Sequence, residues 1–178
     1  MRKVFGLLIL VVSFAAQAQE ASYTNNLKMR TERRVGVGAE LGGSSGLAGA
    51  LLELNMEDEN AALVGIGFGN TYSTFSLAWK HSFEGKVLTP YTTLGWSRWY
   101  GSGGATPTSH ILDEMLTSSE KNEDRFNLDL ATAGIGAQYQ ELDGELAGAS
   151  FFGELNMDVA PFRGKVMPTA AVGAIYFF

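Results

Sequence analysis

The chain contains no cysteine, and only two histidines and four prolines, among its 178 residues. Without cysteine there can be no disulfide, no thiolate metal site and no lipid-modified N-terminal cysteine. Metal-ligand spacing, nucleotide-binding motifs and a paired-carboxylate signature are likewise missing, so the sequence names no cofactor and no metal. It has no basic tract and no interleaving of basic with aromatic residues, which argues against a nucleic-acid partner. Helical periodicity is weak everywhere except in one loop. The only long, nearly unbroken apolar run, residues 4–16, is 13 residues long, too short to cross a bilayer comfortably as a helix.

That run follows Arg2 and Lys3 and ends at Ala16-Gln17-Ala18, a small-x-small cleavage pattern. Residues 1–18 therefore read as a secretory signal peptide. Without its two cations, the net charge moves from −6 to about −8. Residues 19–32 are polar and read as an irregular leader, periplasmic if the chain is exported. Residues 33–178 read as one domain, with no further domain expected after the last strand.

From residue 33 onward, short alternating runs are separated by glycine, polar or acidic turns. Eight such runs are visible: 33–42, 47–56, 61–69, 71–83, 87–100, 125–140, 145–158 and 166–178. In the third, Ala62, Val64, Ile66 and Phe68 alternate with Gly65 and Gly67. In the sixth, Ala131, Ala133, Ile135, Ala137 and Tyr139 alternate with Gly134, Gly136, Gln138 and Gln140. A two-residue period marks strands with one apolar face. Eight strands without intervening helices predict an antiparallel all-β fold. Many glycines lie on the non-apolar faces, where a strand carries them only if something needs the room. A crowded small-barrel interior is such a place.

The last run, VMPTAAVGAIYFF, alternates without fault through Val166, Pro168, Ala170, Val172, Ala174, Tyr176 and Phe178. Gly173, Tyr176 and a final Phe178 resemble the C-terminal assembly signal of bacterial outer-membrane β-barrels. The polar position of that signal is Ala171 here, so the match is incomplete. With the eight runs and the signal peptide, the whole mature chain resembles the small eight-stranded outer-membrane barrels, the OmpX, OmpA-barrel and OmpW-like class. The resemblance implies a closed antiparallel eight-stranded up-and-down transmembrane β-barrel with both termini in the periplasm. It also implies a cell-outer-membrane location, outer-membrane lipid and lipopolysaccharide as neighbours, the β-barrel assembly machinery as a partner, and a monomer.

Alternation alone leaves open which face is inside. In a soluble lipocalin-like barrel the apolar face lines a ligand cavity; in an outer-membrane barrel it faces lipid and the lumen is polar. Glu40, Glu53, Lys80 and Glu154 fall on the polar parity within strands, which suits a hydrogen-bonded lumen. Strands of about ten residues suit a tilted crossing of the bilayer. Lys80 and Glu53 count to similar depths, so an ion pair is expected between them, across the gap left by Gly65 and Gly67. Glu40 and Glu154 count higher, with Arg98, Arg125 or Arg163 as expected partners. Trp96, Trp99, Tyr100, Tyr72 and Phe126 are expected at the outer interface; Phe83, Tyr91, Tyr139, Tyr176 and Phe178 at the inner one.

The long connection, residues 101–124, carries Ile111, Leu112, Met115 and Leu116 at helical spacing after Pro107 and Ser109. It could be a cap over the lumen mouth, a foot on lipopolysaccharide, or a loop with only a transient turn. Its acidic residues, Asp113, Glu114, Glu120, Glu123 and Asp124 against Lys121, read as a solvated loop or as carboxylates that a divalent cation bridges to lipid phosphate. Some small outer-membrane barrels act on lipid A, one kind through a Ser–His pair near the outer leaflet. His81-Ser82 is one adjacent pair, and parity puts His81 on the lipid face at the wrong end; His110 beside Ser109, in the long loop, has no evident orienting partner. The expected function is therefore a non-enzymatic barrel with a structural, surface-interaction or narrow solute role, against the alternatives of a lipid A-modifying enzyme and a soluble binding barrel.

Overall fold

The computed structural model describes residues 21–101, 110–117, 120 and 126–178. The signal-peptide reading falls on residues 1–18 and, like Pro107, Ser109, Lys121, Glu123, Asp124 and Arg125, lies outside the described residues. Eight strands form a closed barrel: β1 (Val35–Gly42), β2 (Ala48–Asn55), β3 (Asn60–Phe68), β4 (Tyr72–Ser82), β5 (Leu88–Gly101), β6 (Asn127–Gln140), β7 (Ala149–Ala160) and β8 (Lys165–Phe177). Each pairs antiparallel with its neighbours in sequence, and β8 closes the barrel on β1 through pairs such as Gly173 with Glu40 and Tyr176 with Val37. The closure leaves no sheet edge free.

The alternation fixes two surfaces. Ile66, Leu94, Ile135, Leu155 and Val172 point outward, with exposures of 57–65%. Glu53, Lys80, Thr93, Gln138, Ser150 and Asn156 point inward and are buried. Strands therefore carry an apolar band on the outside, while the inside mixes polar and charged groups with apolar ones such as Leu51, Phe152 and Ile175.

Both barrel ends are covered. At the end bearing the termini lies α1 (Asn26–Glu32), in the stretch expected to be irregular. Asn25 caps it by accepting from Lys28 N at 2.9 Å, which satisfies one of the free donors of the first turn. Seven residues are too few for a helix to persist in isolation; this one is held by docking. Asn26, Met29 and Arg30, on one face at i, i+3 and i+4, are all buried. Asn26 is fastened to the β4–β5 turn, where its side-chain amide donates to Phe83 O and its oxygen accepts from Gly85 N. Ahead of α1, Ala21–Ser22 pairs with Asp143–Gly144 in a small ribbon. Met29 packs with Leu51, Tyr91, Leu142, Phe152, Ile175 and Phe177.

At the far end, α2 (His110–Met115) lies over the mouth. Leu112, Met115 and Leu116 pack on Tyr72, Trp99, Phe126, Leu128 and Leu130. Among the described residues of the long connection, α2 packs inward as a cap does. Tyr72 and Trp99 stack with ring centroids 5.0 Å apart, and with Phe126 they belong to this internal cluster and not to an interfacial ring. Tyr91 also points inward. Of the aromatics expected at the rims, Tyr100, Phe83, Tyr139 and Phe178 are exposed.

Candidate functional site: a polar lumen sealed at both ends

Strand alternation aims Glu53, Lys80 and Gln138 into the lumen near α1. Lys80 Nζ lies 2.9 Å from Glu53 Oε2 and 2.5 Å from Gln138 Oε1, with its cation 4.5 Å from the Tyr91 ring centroid. Arg30 of α1 reaches in from below and places Nη1 2.7 Å from Glu53 Oε1. One carboxylate thus holds two cations, one on each oxygen, and none of the three side chains is more than 3% exposed. Gln138 passes the chain on, donating to Ser150 Oγ at 2.7 Å, and Ser150 donates to Tyr139 O. Charges taken out of water need such partners, because each unpaired ion would cost on the order of several kcal/mol; Arg30 Nη2 is the buried donor left without one in this trio.

Arg30 was not among the expected lumen residues. Its signal was short: an Asn N-cap followed by Asn26, Met29 and Arg30 on one helical face. The register also corrects the expected gap. The inward β3 residues beside the pair are Leu63, opposite Glu53, and Ala61, opposite Lys80. Gly65 and Gly67 serve something else. A β-carbon at Gly67 would run into the backbone oxygen of Ser45. The β1–β2 turn, with Gly42, Gly43 and Gly46 at positive φ, folds Ser45 into the barrel, where it is 1% exposed.

Neither Arg98 nor Arg163 pairs with Glu40 or Glu154, and Arg125 lies outside the described residues. Arg98 points outward and forms a two-pronged ion pair with Asp129 at 2.8 and 3.0 Å. Arg163 grips Glu120 with contacts of 2.6 and 2.7 Å and donates to Met115 O and Asn127 O. Lys165 adds a bond to Glu114 O. Together these clasp the cap to the β7–β8 turn. Burial opposes ionisation of Glu120, but Arg163 and Thr117 outweigh it and hold its carboxyl below the usual range. Among the described residues, Glu40 and Glu154 have no ion pair. They border a residual cavity of about 40 Å³ together with Glu53, Lys80, Tyr91, Thr93 and Thr132, room for a few water molecules. Asp158, farther up, is bonded to Thr132 at 2.5 Å and Thr169 at 2.6 Å.

The terminal residues divide between faces. Gly173 points inward, where a β-carbon would meet the Phe152 ring and Ala39 O at 2.5 Å. Tyr176 and Phe178 lie outside with rings 5.5 Å apart, and Phe177 between them is fully buried. His81 also points outward, stacked on Trp79, edge-on to Phe83 and 3.1 Å from Asn60 Oδ1. Ser82 points inward and is buried, so the two side chains lie on opposite faces of the sheet and do not form a nucleophile–base pair.

No family model matches the chain, and no curated protein matches it. Among solved structures it is similar to the N-terminal β-barrel domain of Pseudomonas aeruginosa OprF. The TM-score is 0.56 at 17% identity, over 81% of this chain and 98% of that one. The likeness is one of fold.

Proposed function

We propose that the chain is a non-enzymatic outer-membrane barrel that serves a structural or surface-interaction role and does not form an open pore. The carrying observation is the inversion of its surfaces. An exposed apolar band, including Ile66, Leu94, Ile135, Leu155 and Val172, encircles a lumen whose buried groups include the charged Arg30, Glu53 and Lys80. Water would drive such a band to aggregate, whereas lipid solvates it. A soluble ligand-binding barrel would need the opposite placement. In this reading the chain is exported by its signal peptide, inserts as a monomer through the assembly machinery and keeps both termini in the periplasm. The capped end then faces lipopolysaccharide.

Eight strands leave an interior that side chains fill. Here the ion-pair network fills the lower half, α1 covers the lower mouth and α2 the upper. Such a lumen supports the structural or adhesive role over solute passage. The deciding experiment is fractionation with heat-modifiable gel mobility, followed by planar-bilayer recording. The expected result is a detergent-requiring membrane protein that shifts on heating and shows no steady conductance. Recovery only from the soluble periplasmic fraction would overturn the membrane reading; a stable open channel would overturn the closed-lumen reading.

A further inference from the structure

Among the described residues, six acidic and basic side chains face the lumen: Arg30 and Lys80 against Glu40, Glu53, Glu154 and Asp158. Both cations are committed to Glu53. The other three carboxylates lie above them with no ion pair among the described residues; Asp158 accepts from two hydroxyls, and Glu154 is approached by those of Tyr91 and Thr93. Glu40 Oε1 and Asn156 Oδ1 are buried without a hydrogen-bond partner, although Glu40 is 8% exposed and Asn156 4%. An orphaned buried acceptor is costly, and more so when it carries charge.

These acceptors converge. Asn156 Oδ1, Thr93 Oγ1 and Glu154 Oε1 all lie within 3.0 Å of the single point that a β-carbon on Gly134 would occupy. Glycine at 134 is what lets three oxygens crowd one spot of the wall. Asn156 Nδ2 and Glu40 Oε1 lie 3.4 and 3.5 Å from the corresponding point over Gly43, which sets Glu40 on the other side of the Asn156 amide. The cavity on which Glu40, Thr93 and Glu154 open holds a few waters. An amide oxygen and a carboxylate oxygen cannot hydrogen-bond to one another, and Thr93 can donate to only one of them. A water, a shared proton or a cation must lie between them to satisfy the remaining lone pairs.

We infer that the lumen hollow bordered by Glu40, Thr93 and Glu154 is a cation site, with Glu154 Oε1 and Thr93 Oγ1 as ligands, Asn156 Oδ1 beside them at Gly134, Glu40 as the adjacent charge and cavity water completing the shell. The donor set is all oxygen, without nitrogen or sulfur, and so selects a hard cation. Its two carboxylates balance a divalent charge. The mixture of amide, hydroxyl, carboxylate and water fits the irregular, high-coordination shell of Ca²⁺ better than the strict octahedron of Mg²⁺. With both mouths covered, the ion enters as the barrel closes and leaves slowly.

The test uses the full chain refolded in detergent, with either Ca²⁺ or K⁺ and a calcium chelator present, then desalted and analysed for bound metal. Wild-type protein refolded with Ca²⁺ should retain about one calcium per chain and unfold, by heat-modifiable mobility, at a higher temperature than the chelated preparation. Asn156→Leu and Thr93→Val should each weaken retention by about tenfold or more. Glu120→Gln, in the cap, should retain calcium like wild type. If wild-type protein holds no calcium and unfolds identically in both buffers, the hollow holds water or a shared proton and the proposal is wrong. Equal retention by wild type and Thr93→Val would place the ion elsewhere and overturn it too. The wild-type comparison decides even if Asn156→Leu fails to fold. None of these outcomes depends on where the barrel resides in the cell.

Discussion

Arg30 Nη1 lies 2.7 Å from Glu53 Oε1 with both side chains fully enclosed, which ties a helix outside the barrel to a charge inside it. This changes what removal of either lumen partner should do. Lys80→Met leaves Glu53 still neutralised by Arg30, whereas Glu53→Leu strands two buried cations. Breaking a buried pair costs about 3–5 kcal/mol when a charge is left alone. Glu53→Leu should reach or exceed that range, and Lys80→Met should fall below it. The Glu53→Leu/Lys80→Met double variant should recover only part of the loss, and adding Arg30→Met should recover most of the rest. Refolding titrations in detergent measure all four; strictly additive losses would reject the three-residue network.

The outward band makes a second prediction. Arginine at Ile66, Leu94 or Ile135 should cost about 2–4 kcal/mol for refolding into lipid, and arginine at a rim position such as Tyr100 about 0–1. Refolding yields in vesicles compare them directly. Indifference to arginine at Ile66 and Ile135 would mean that the band does not meet hydrocarbon.

The cap should open before the barrel does. Glu120 is partly exposed, with its side chain 27% accessible, so the Arg163 clasp is screened and worth about 0.2–1 kcal/mol. The Glu120 carboxyl titrates lower in the folded protein than its ordinary value. The clasp's contribution is therefore present above the ordinary carboxylate range and is lost as pH falls through the folded-state value. Hydrogen exchange of Leu112 to Thr117 should quicken at acidic pH, at high salt and in Arg163→Met, while exchange in β6 stays slow. Equal quickening of β6 would mean that the cap and barrel open as one unit.

A fourth prediction separates packing from assembly. Phe178 is 40% exposed, whereas Phe177 is fully buried, so the end residue contributes little to the core. Its amide still donates to Val35 O at 2.9 Å. Deleting Phe178 should nevertheless lower the folded fraction in cells markedly, while purified protein refolds in detergent nearly as before. A matching loss in both settings would make Phe178 an ordinary packing residue.

The strands and their faces were readable because a two-residue period needs no knowledge of distant parts of the chain. Val64, Ile66 and Gly65 declare opposite sides of β3 by position alone, and the run of such segments declares the barrel. Depth counting even brought Lys80 and Glu53 to the same level, and the two are bonded. What sequence could not supply was anything set by closure or by docking across the lumen. Arg30 stands in a polar stretch and acquires meaning only when α1 folds over a mouth built by all eight strands. Tyr72, Trp99 and Phe126 look like rim aromatics until the long connection is laid over them. Gly67 looks like space for a neighbouring ion pair until the β1–β2 turn folds Ser45 against it. Alternation is a local property of the backbone, decided residue by residue by the pleat. Partnership inside a barrel joins residues tens of positions apart, and it is decided by shear, register and the closing pair of strands, which exist only once the chain has come full circle.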